Sequence, residues 1–243
     1  MNAIASATET GMLDDVERLR IIGNNLANVG TVGFKRSLAV SNSFDLMLQA
    51  ADGPRQTQRS GSLVSTFLDR SAGTMTHTGN PLDLAIEGDA YFVIDTGQQE
   101  AYTRQGTFRV NSDGQLVTPG GQPVMTTLGD TRLTGPAPAI DAQGNIRDNG
   151  AVVGQLKLVA VNNPDSLLDT GNGLFAPTAS TSVTPADMAR VRQGYTESAN
   201  VVTMNEMIRM IETVRHFEAS QKMLQGYDSM LNRAITDLGG LVQ

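Results

Sequence analysis

The chain of 243 residues contains no cysteine, which excludes disulfides and thiolate metal centres. It has no tryptophan, and aromatic residues make up only 5% of it, thin material for a saccharide or cofactor cleft. Its two histidines, His77 and His216, stand far apart in the chain, so a metal site would need several acids to complete it. No run approaches the roughly eighteen apolar residues of a membrane-spanning helix, and membrane insertion is not expected. The N-terminus lacks a basic stretch leading into an apolar core, so a cleaved signal peptide is not expected either. Positive charge is the minority: 18 Lys and Arg against 25 Asp and Glu leave a net charge of −7. That is the wrong sign for a nucleic-acid groove.

Proline is missing from both ends. All nine prolines fall between Pro54 and Pro185. Because proline is costly inside helices and frequent in turns and at strand edges, the chain reads as helix, β-rich middle, helix. The apolar positions Ile4, Ala7, Gly11, Met12, Val16, Leu19, Ile22, Leu26 and Val29 recur at three-and-four spacing, one stripe of an amphipathic helix. At the other end Val201, Met204, Ile208, Ile211, Val214, Phe217, Leu224, Leu231, Ile235 and Leu238 form a second, longer stripe. Charged residues such as Glu206, Arg209, Glu212 and Arg215 are interleaved with it. This predicts a long helix with a coiled-coil-like seam, interrupted at Gln221 and Asp228.

The middle alternates with a period of two at Leu82, Leu84 and Ile86 against Asp83, Ala85 and Glu87, the mark of a half-buried strand. Turn chemistry at Asn111–Gly114 and Asp141–Gly144 supplies the positive φ that hairpins need. About eight short strands are expected, in an antiparallel sandwich or open barrel. The fold class is therefore α+β: N- and C-terminal helices pairing as an antiparallel coiled-coil-like unit, with a central antiparallel β domain. The expected boundaries are a terminal helical domain at 1–33 and 198–243, an extended connecting arm at 34–76 with a short helical piece near Phe44–Leu48, and a β-rich domain at 77–197.

No chemistry emerges from the polar residues. His77 precedes a strand without a second histidine nearby, and His216 sits among charged helix neighbours as a solvated position. Asp83 and Glu87 share a strand face with the spacing of a wet surface, and Asp89 adds only one more carboxylate. The segment "TPGGQP" at 118–123 has glycines but no lysine and no following helix, so it reads as a turn and not as a phosphate cradle. Catalytic, cofactor-binding and metal-ligating residues are expected to be none, and the protein is not expected to be an enzyme.

The terminal helices carry the functional argument. A C-terminal helix of about forty residues spans roughly 60 Å, and an N-terminal helix of about 28 residues is too short to cover its stripe. Each large apolar residue left in water forfeits about 1.5–3 kcal/mol. Self-association through unlike surfaces removes that cost, and head-to-tail contacts that do not close generate helical filaments. The sequence points to a polymer subunit.

Four blocks carry a family resemblance: "NNLANVGTVGFK" (24–35), "TGNPLDLAIEGDAYFVI" (78–94), "YTRQGTFRVNSDGQLVT" (102–118) and "GYTESANVVTMNEMIRMIETVRHFE" (194–218). In order and over nearly the whole chain, they resemble the flagellar basal-body rod and hook family. The resemblance implies an axial component of the bacterial flagellum, exported through the flagellar secretion apparatus without signal cleavage and residing in the periplasmic rod. It implies terminal helices packed into a tube around the export channel, β domains outside, and torque transmitted along the tube. The implied partners are other copies of the chain, paralogous rod proteins and the export apparatus, with no nucleic acid. The short segment between "GFKR" and "THTGNP", with "VGQLKLVAV" and "GLFAPT", resembles the proximal-rod subunit adjoining the distal rod. The other motifs fit the distal-rod subunit equally, and that alternative stays open. From a different class, a carbohydrate-binding or adhesin β-module is the competing reading.

The expected subunit interface is Ile22, Asn24, Asn25, Leu26, Asn28 and Val29 at the first helix end, with Ile208, Ile211, Phe217, Gln221, Leu224, Leu231, Ile235 and Leu238 along the last helix. In a tube of packed helices a helix end is not freely hydrated, so its carbonyls need local partners. Amides donate and accept at once. In this reading Ile22, Leu26 and Val29 form a buried ridge while Asn24 and Asn28 face a neighbour.

Overall fold

A computed structural model describes residues 3–41, 64–129, 131–135, 138–186 and 188–239. The expected helical piece near Phe44–Leu48 lies outside them. The chain divides into two compact units: Met1–Ala27, Ser37–Leu68 and Val202–Gln243 form one, and Asn28–Arg36 with Asp69–Val201 the other.

The first unit is helical. Helix α1 (Ala3–Ala27) and helix α2 (Thr203–Gly239) occupy the two proline-free ends of the chain. At 1.5 Å per residue they are about 38 and 56 Å long. Glu206 in the first turn of α2 complements the positive end of the helix dipole. A two-stranded antiparallel ribbon, Ser37–Ser41 with Val64–Leu68, completes the unit.

The second unit is β-rich, and its sheets are antiparallel. A six-stranded sheet runs in the order Leu167–Gly171, Leu174–Pro177, Glu100–Thr103, Tyr91–Asp95, Leu158–Val161, Val183–Pro185. Smaller pairs join Leu84–Glu87 to Arg190–Gln193 and Met75–His77 to Tyr195–Glu197. Leu84, Ile86, Phe92, Ile94, Phe108 and Ile146 are among the residues that fill one apolar core. There the Phe92 and Phe108 rings meet edge to face at 5.1 Å, a favoured aromatic geometry. The expected hairpin at Asn111–Gly114 is present, with Arg109–Val110 paired to Leu116–Val117. Gly114 has φ +78, and a Cβ there would lie 2.5 Å from the Leu133 carbonyl oxygen.

The architecture is α+β with antiparallel sheets, and it departs from the sequence reading in two places. The described residues hold seventeen strands, not about eight, because glycine turns cut the chain into pieces of two to five residues. The strand at Leu84–Glu87 is also not half wet. Leu84, Ala85 and Ile86 are all buried and so is Asp83, because small Ala85 lets both faces be covered. Asp83 accepts a hydrogen bond from Asn80 at 3.1 Å, and Glu87 pairs with Arg192 at 2.7 Å.

Candidate assembly surfaces

On α2 the sheltered side chains follow a strict alternation of three- and four-residue steps: Thr203, Glu206, Met210, Thr213, Phe217, Ser220, Leu224, Tyr227 and Leu231. This is the row that faces inward, and its first half is mostly polar. On α1 the buried side chains are Asp14, Asp15, Ile21, Ile22 and Asn25. Polar contacts between described residues tie the helices together. Nδ1 of His216 lies 2.6 Å from a carboxylate oxygen of Asp15, whose side chain is 2% exposed. Nδ2 of Asn25 donates to Glu206 at 3.3 Å. The later residue of α1 meets the earlier residue of α2, so the helices run antiparallel. Continuing that register sets Ala3 level with about residue 228, which leaves the last turns of α2 beyond the end of α1.

Asn25 does more than bridge the helices. Its Oδ1 accepts from the Ser37 backbone N–H at 2.9 Å, and its Nδ2 donates to the Ser37 carbonyl at 2.8 Å. One amide thereby holds the start of the ribbon strand against α1. Among the three amides of "NNLAN" it is Asn25 that is buried. Asn24 is exposed and Asn28 half-buried, with Asn28 accepting from the Thr31 hydroxyl at 3.2 Å.

Of the other residues expected at an interface, Ile22 is buried, Leu26 half-buried and Val29 exposed. Phe217, Leu224 and Leu231 lie in the sheltered row of α2, whereas Ile208, Ile211 and Gln221 are exposed. The side chains of Ile235 and Leu238 lie outside the described residues. The single seam read from the sequence is therefore two surfaces. Ile208, Ile211, Val214 and Phe217 advance by threes, and nine residues at 3.6 per turn make two and a half turns. Ile208 and Phe217 consequently sit on opposite sides of the helix. Gln221 and Asp228 are both exposed and interrupt nothing.

The outward side of the first turns of α2 is apolar. Met204 is 67% exposed and Ile211 54%, with Met207, Ile208 and Val214 open beside them. Beyond Val214 the same side carries Arg215, Glu218, Gln221 and Lys222. Over its first three turns the helix thus shelters Thr203, Glu206 and Thr213 beside a single apolar residue, Met210, while five large apolar side chains stand outside. Sequence reasoning left Asp15, Glu206 and His216 out of the interface. The recurrence of Glu206, Thr213, Ser220 and Tyr227 at intervals of seven was the signal for a second row.

In the β-rich unit three of the motif blocks meet. Lys35 from "GFK" donates to Glu197 of "YTES" at 2.6 Å with both side chains 2% exposed. Arg104 of "YTRQ" lies 3.5 Å from the other Glu197 oxygen. Lys35 also donates to the Ser71 carbonyl, and the Gly73 N–H to Glu197, each at 2.8 Å. Burial pushes the Lys35 ammonium below its usual value, against the opposing pull of Glu197. Gly33, at φ +70, donates to the Glu197 carbonyl at 2.7 Å. A Cβ on Gly33 would stand 2.6 Å from the Arg104 carbonyl carbon, so this close approach requires glycine.

Nothing comparable surrounds the residues weighed for chemistry. His77 is exposed and packs edge-on against Tyr195 at 4.8 Å. Among the described residues no group of three or more acids or histidines could hold a metal ion, and no helix is long and apolar enough to cross a membrane. An open groove of about 570 Å³ beside Leu158 and Pro185 has no aromatic side chain in its lining.

Comparison with known proteins finds relatives along nearly the whole chain. Residues 192–237 match the family model described as flagellar basal body rod FlgEFG protein C-terminal, and residues 85–154 the flagellar hook protein FlgE/F/G D1 domain. The flagellar basal-body rod protein FlgF of Mesorhizobium japonicum is 34% identical over 91% of this chain and 92% of its own length. The rod protein FlgG of Bacillus subtilis is 33% identical over 93% and 95%. FlgF of Caulobacter vibrioides is 32% identical over 91% of each. With a helical C-terminal segment and a β-rich D1 segment both matched, and relatives aligned along nearly their full length, the chain belongs to the family of flagellar basal-body rod proteins.

Proposed function

We propose that this rod subunit polymerises through the outward face of α2 and builds the proximal part of the rod with copies of itself and paralogous rod proteins. The observation that carries the reading is the open patch at Met204, Met207, Ile208, Ile211 and Val214. Leaving such side chains in water costs about 1.5–3 kcal/mol for each one fully exposed, and a neighbouring subunit removes that cost. In the polymer α1 and α2 pair as an antiparallel coiled coil, and the subunit reaches the periplasmic rod through the flagellar export apparatus without signal cleavage. The remaining expected interface residues, Leu26, Asn24, Asn28, Val29 and the C-terminal Ile235 and Leu238, extend that contact.

The proximal assignment draws support from alignment length. The FlgG relative from B. subtilis aligns over 257 positions, more than the 243 residues of this chain, so it carries segments this chain lacks. The M. japonicum FlgF aligns over 231. The short segment between "GFKR" and "THTGNP" carries the proximal assignment, and the shorter alignment goes with it. The distal alternative stays open, since the identities to the FlgF and FlgG relatives are nearly equal at 34% and 33%.

Because the chain has no cysteine, Ile211→Cys introduces a unique thiol. A cysteine-to-lysine crosslinker applied to intact basal bodies is expected to join Ile211→Cys to another rod subunit, whose identity separates the proximal and distal assignments. A thiol that labels freely in intact rods and captures no subunit would overturn the reading.

A further inference from the structure

Within the helical unit the hydrophobic effect and the observed packing disagree. Over residues 203–216 the side of α2 turned toward α1 presents Thr203, Glu206, Met210 and Thr213, with the exposed His216 reaching in from its edge, while Met204, Ile208 and Ile211 point outward. Burial of apolar surface is the dominant favourable term in packing. A half-turn of α2 about its own axis would bury the apolar side against α1.

What opposes that rotation is on the structure. Asp15 is almost fully buried and meets His216 at 2.6 Å. Asn25 is 1% exposed, held by the Ser37 backbone, and donates to Glu206, also 1% exposed. The two contacts are ten residues apart on α1 and ten apart on α2, so they engage in the same register. Rotating or sliding α2 would strip both at once and leave Asp15 buried without its histidine, which is severely unfavourable for a carboxylate. The bond from Asn25 to Ser37 fixes the orientation of α1 and passes it to α2 through Glu206.

We propose that these two polar contacts are a face selector. They hold α2 with its apolar side outward, where another subunit can bind it, and they do so against the free subunit's own preference for burial. The inference rests on the assembly role of the outward patch and adds what keeps that patch open. It uses buried polar groups to choose one packing among several, the best-attested role for such groups in paired helices. It also makes an unusual demand: removing the contacts should stabilise the free chain while abolishing assembly.

The methionines report the rotation directly. Met204 and Met207 are exposed and Met210 lies in the sheltered row, so oxidation of the full-length chain by dilute hydrogen peroxide, read by peptide mass spectrometry, distinguishes the two sides of α2. In the native chain Met204 and Met207 are expected to oxidise several-fold faster than Met210. In a chain carrying Asp15→Leu, Asn25→Leu, Glu206→Leu and His216→Leu the order should invert, and sedimentation should show loss of assembly. Glu206→Leu and His216→Leu singly cover a quadruple variant that misfolds; each should lower the ratio of Met204 to Met210 oxidation. An unchanged ratio in all the variants that fold would overturn the selector. Normal assembly by Ile208→Glu would instead overturn the assembly role of the patch, while leaving the oxidation result to stand.

Discussion

The two units of this chain bury both apolar and polar residues, in different balance. In the β-rich unit Leu84, Phe92 and Ile94 are fully enclosed, and the charged cluster of Lys35, Arg104 and Glu197 is mutually paired. In the helical unit Asp15, Asn25 and Glu206 lie inside while Met204, Ile208 and Ile211 stand in water. The first is a finished core. In the proposed assembly the second is one side of a contact whose other side belongs to another subunit, and on that reading the contrast separates a unit built for its own stability from one built for assembly.

The comparison breaks most easily at the finished core. Phe92→Ala removes a fully buried ring that packs on Phe108 and is expected to cost about 3–5 kcal/mol. Denaturant unfolding followed by a probe in the β-rich unit checks it. Lys35→Ala leaves Glu197 buried with only the Gly73 N–H and the longer Arg104 contact, and breaking a buried pair from one side costs about 3–5 kcal/mol. Lys35→Met with Glu197→Met should not recover that loss, because it takes the carboxylate from buried Arg104 and the acceptor from the Gly73 N–H. In the helical unit, Leu224→Asp with Leu231→Asp places two charges in the sheltered row; assembly should fail while the β-rich unit unfolds at an unchanged denaturant midpoint.

Acid should act on the β-rich unit. Burial alone would raise the Asp69 carboxyl, but hydrogen bonds from Ser71 and Arg36 outweigh it and hold the group below its ordinary value. Hydrogen bonding from Asn145 lowers Asp141, and from Thr134 lowers Asp148. Carboxyls depressed in the folded state stabilise it above their unfolded value, near pH 4, and that stability is lost as pH falls through the folded values. Unfolding midpoints measured from pH 6 downward should drop, and Asp69→Asn should flatten the decline. The smallest effect belongs to exposed Asn24: Asn24→Ala should change stability by no more than about 0.5 kcal/mol.

Much of this contrast was legible in the sequence, and what was not has a physical cause. The absence of proline at both ends located the helices, and the glycine turns located the hairpin at Asn111–Gly114. The apolar stripe of the last helix was visible, but joining Ile208 to Phe217 by threes hid a half-turn of drift. Leu84–Glu87 looked half wet because alternation cannot reveal what covers the second face of a strand. The pairing of Asp15 with His216, and of Lys35 with Glu197, joins residues 201 and 162 positions apart. No local pattern announces such a contact, even where the residues lie in recognisable motifs.

The central claim is that the outward side of α2 serves assembly and not the stability of the free chain. The double variant Ile208→Glu with Ile211→Glu tests it on one purified protein with two readouts. The unfolding midpoint of the dilute subunit should stay within about 0.5 kcal/mol of the native chain, as exposed positions do, while incorporation into rods is lost and the cells are non-motile. Normal motility and full incorporation by the double variant would contradict the account.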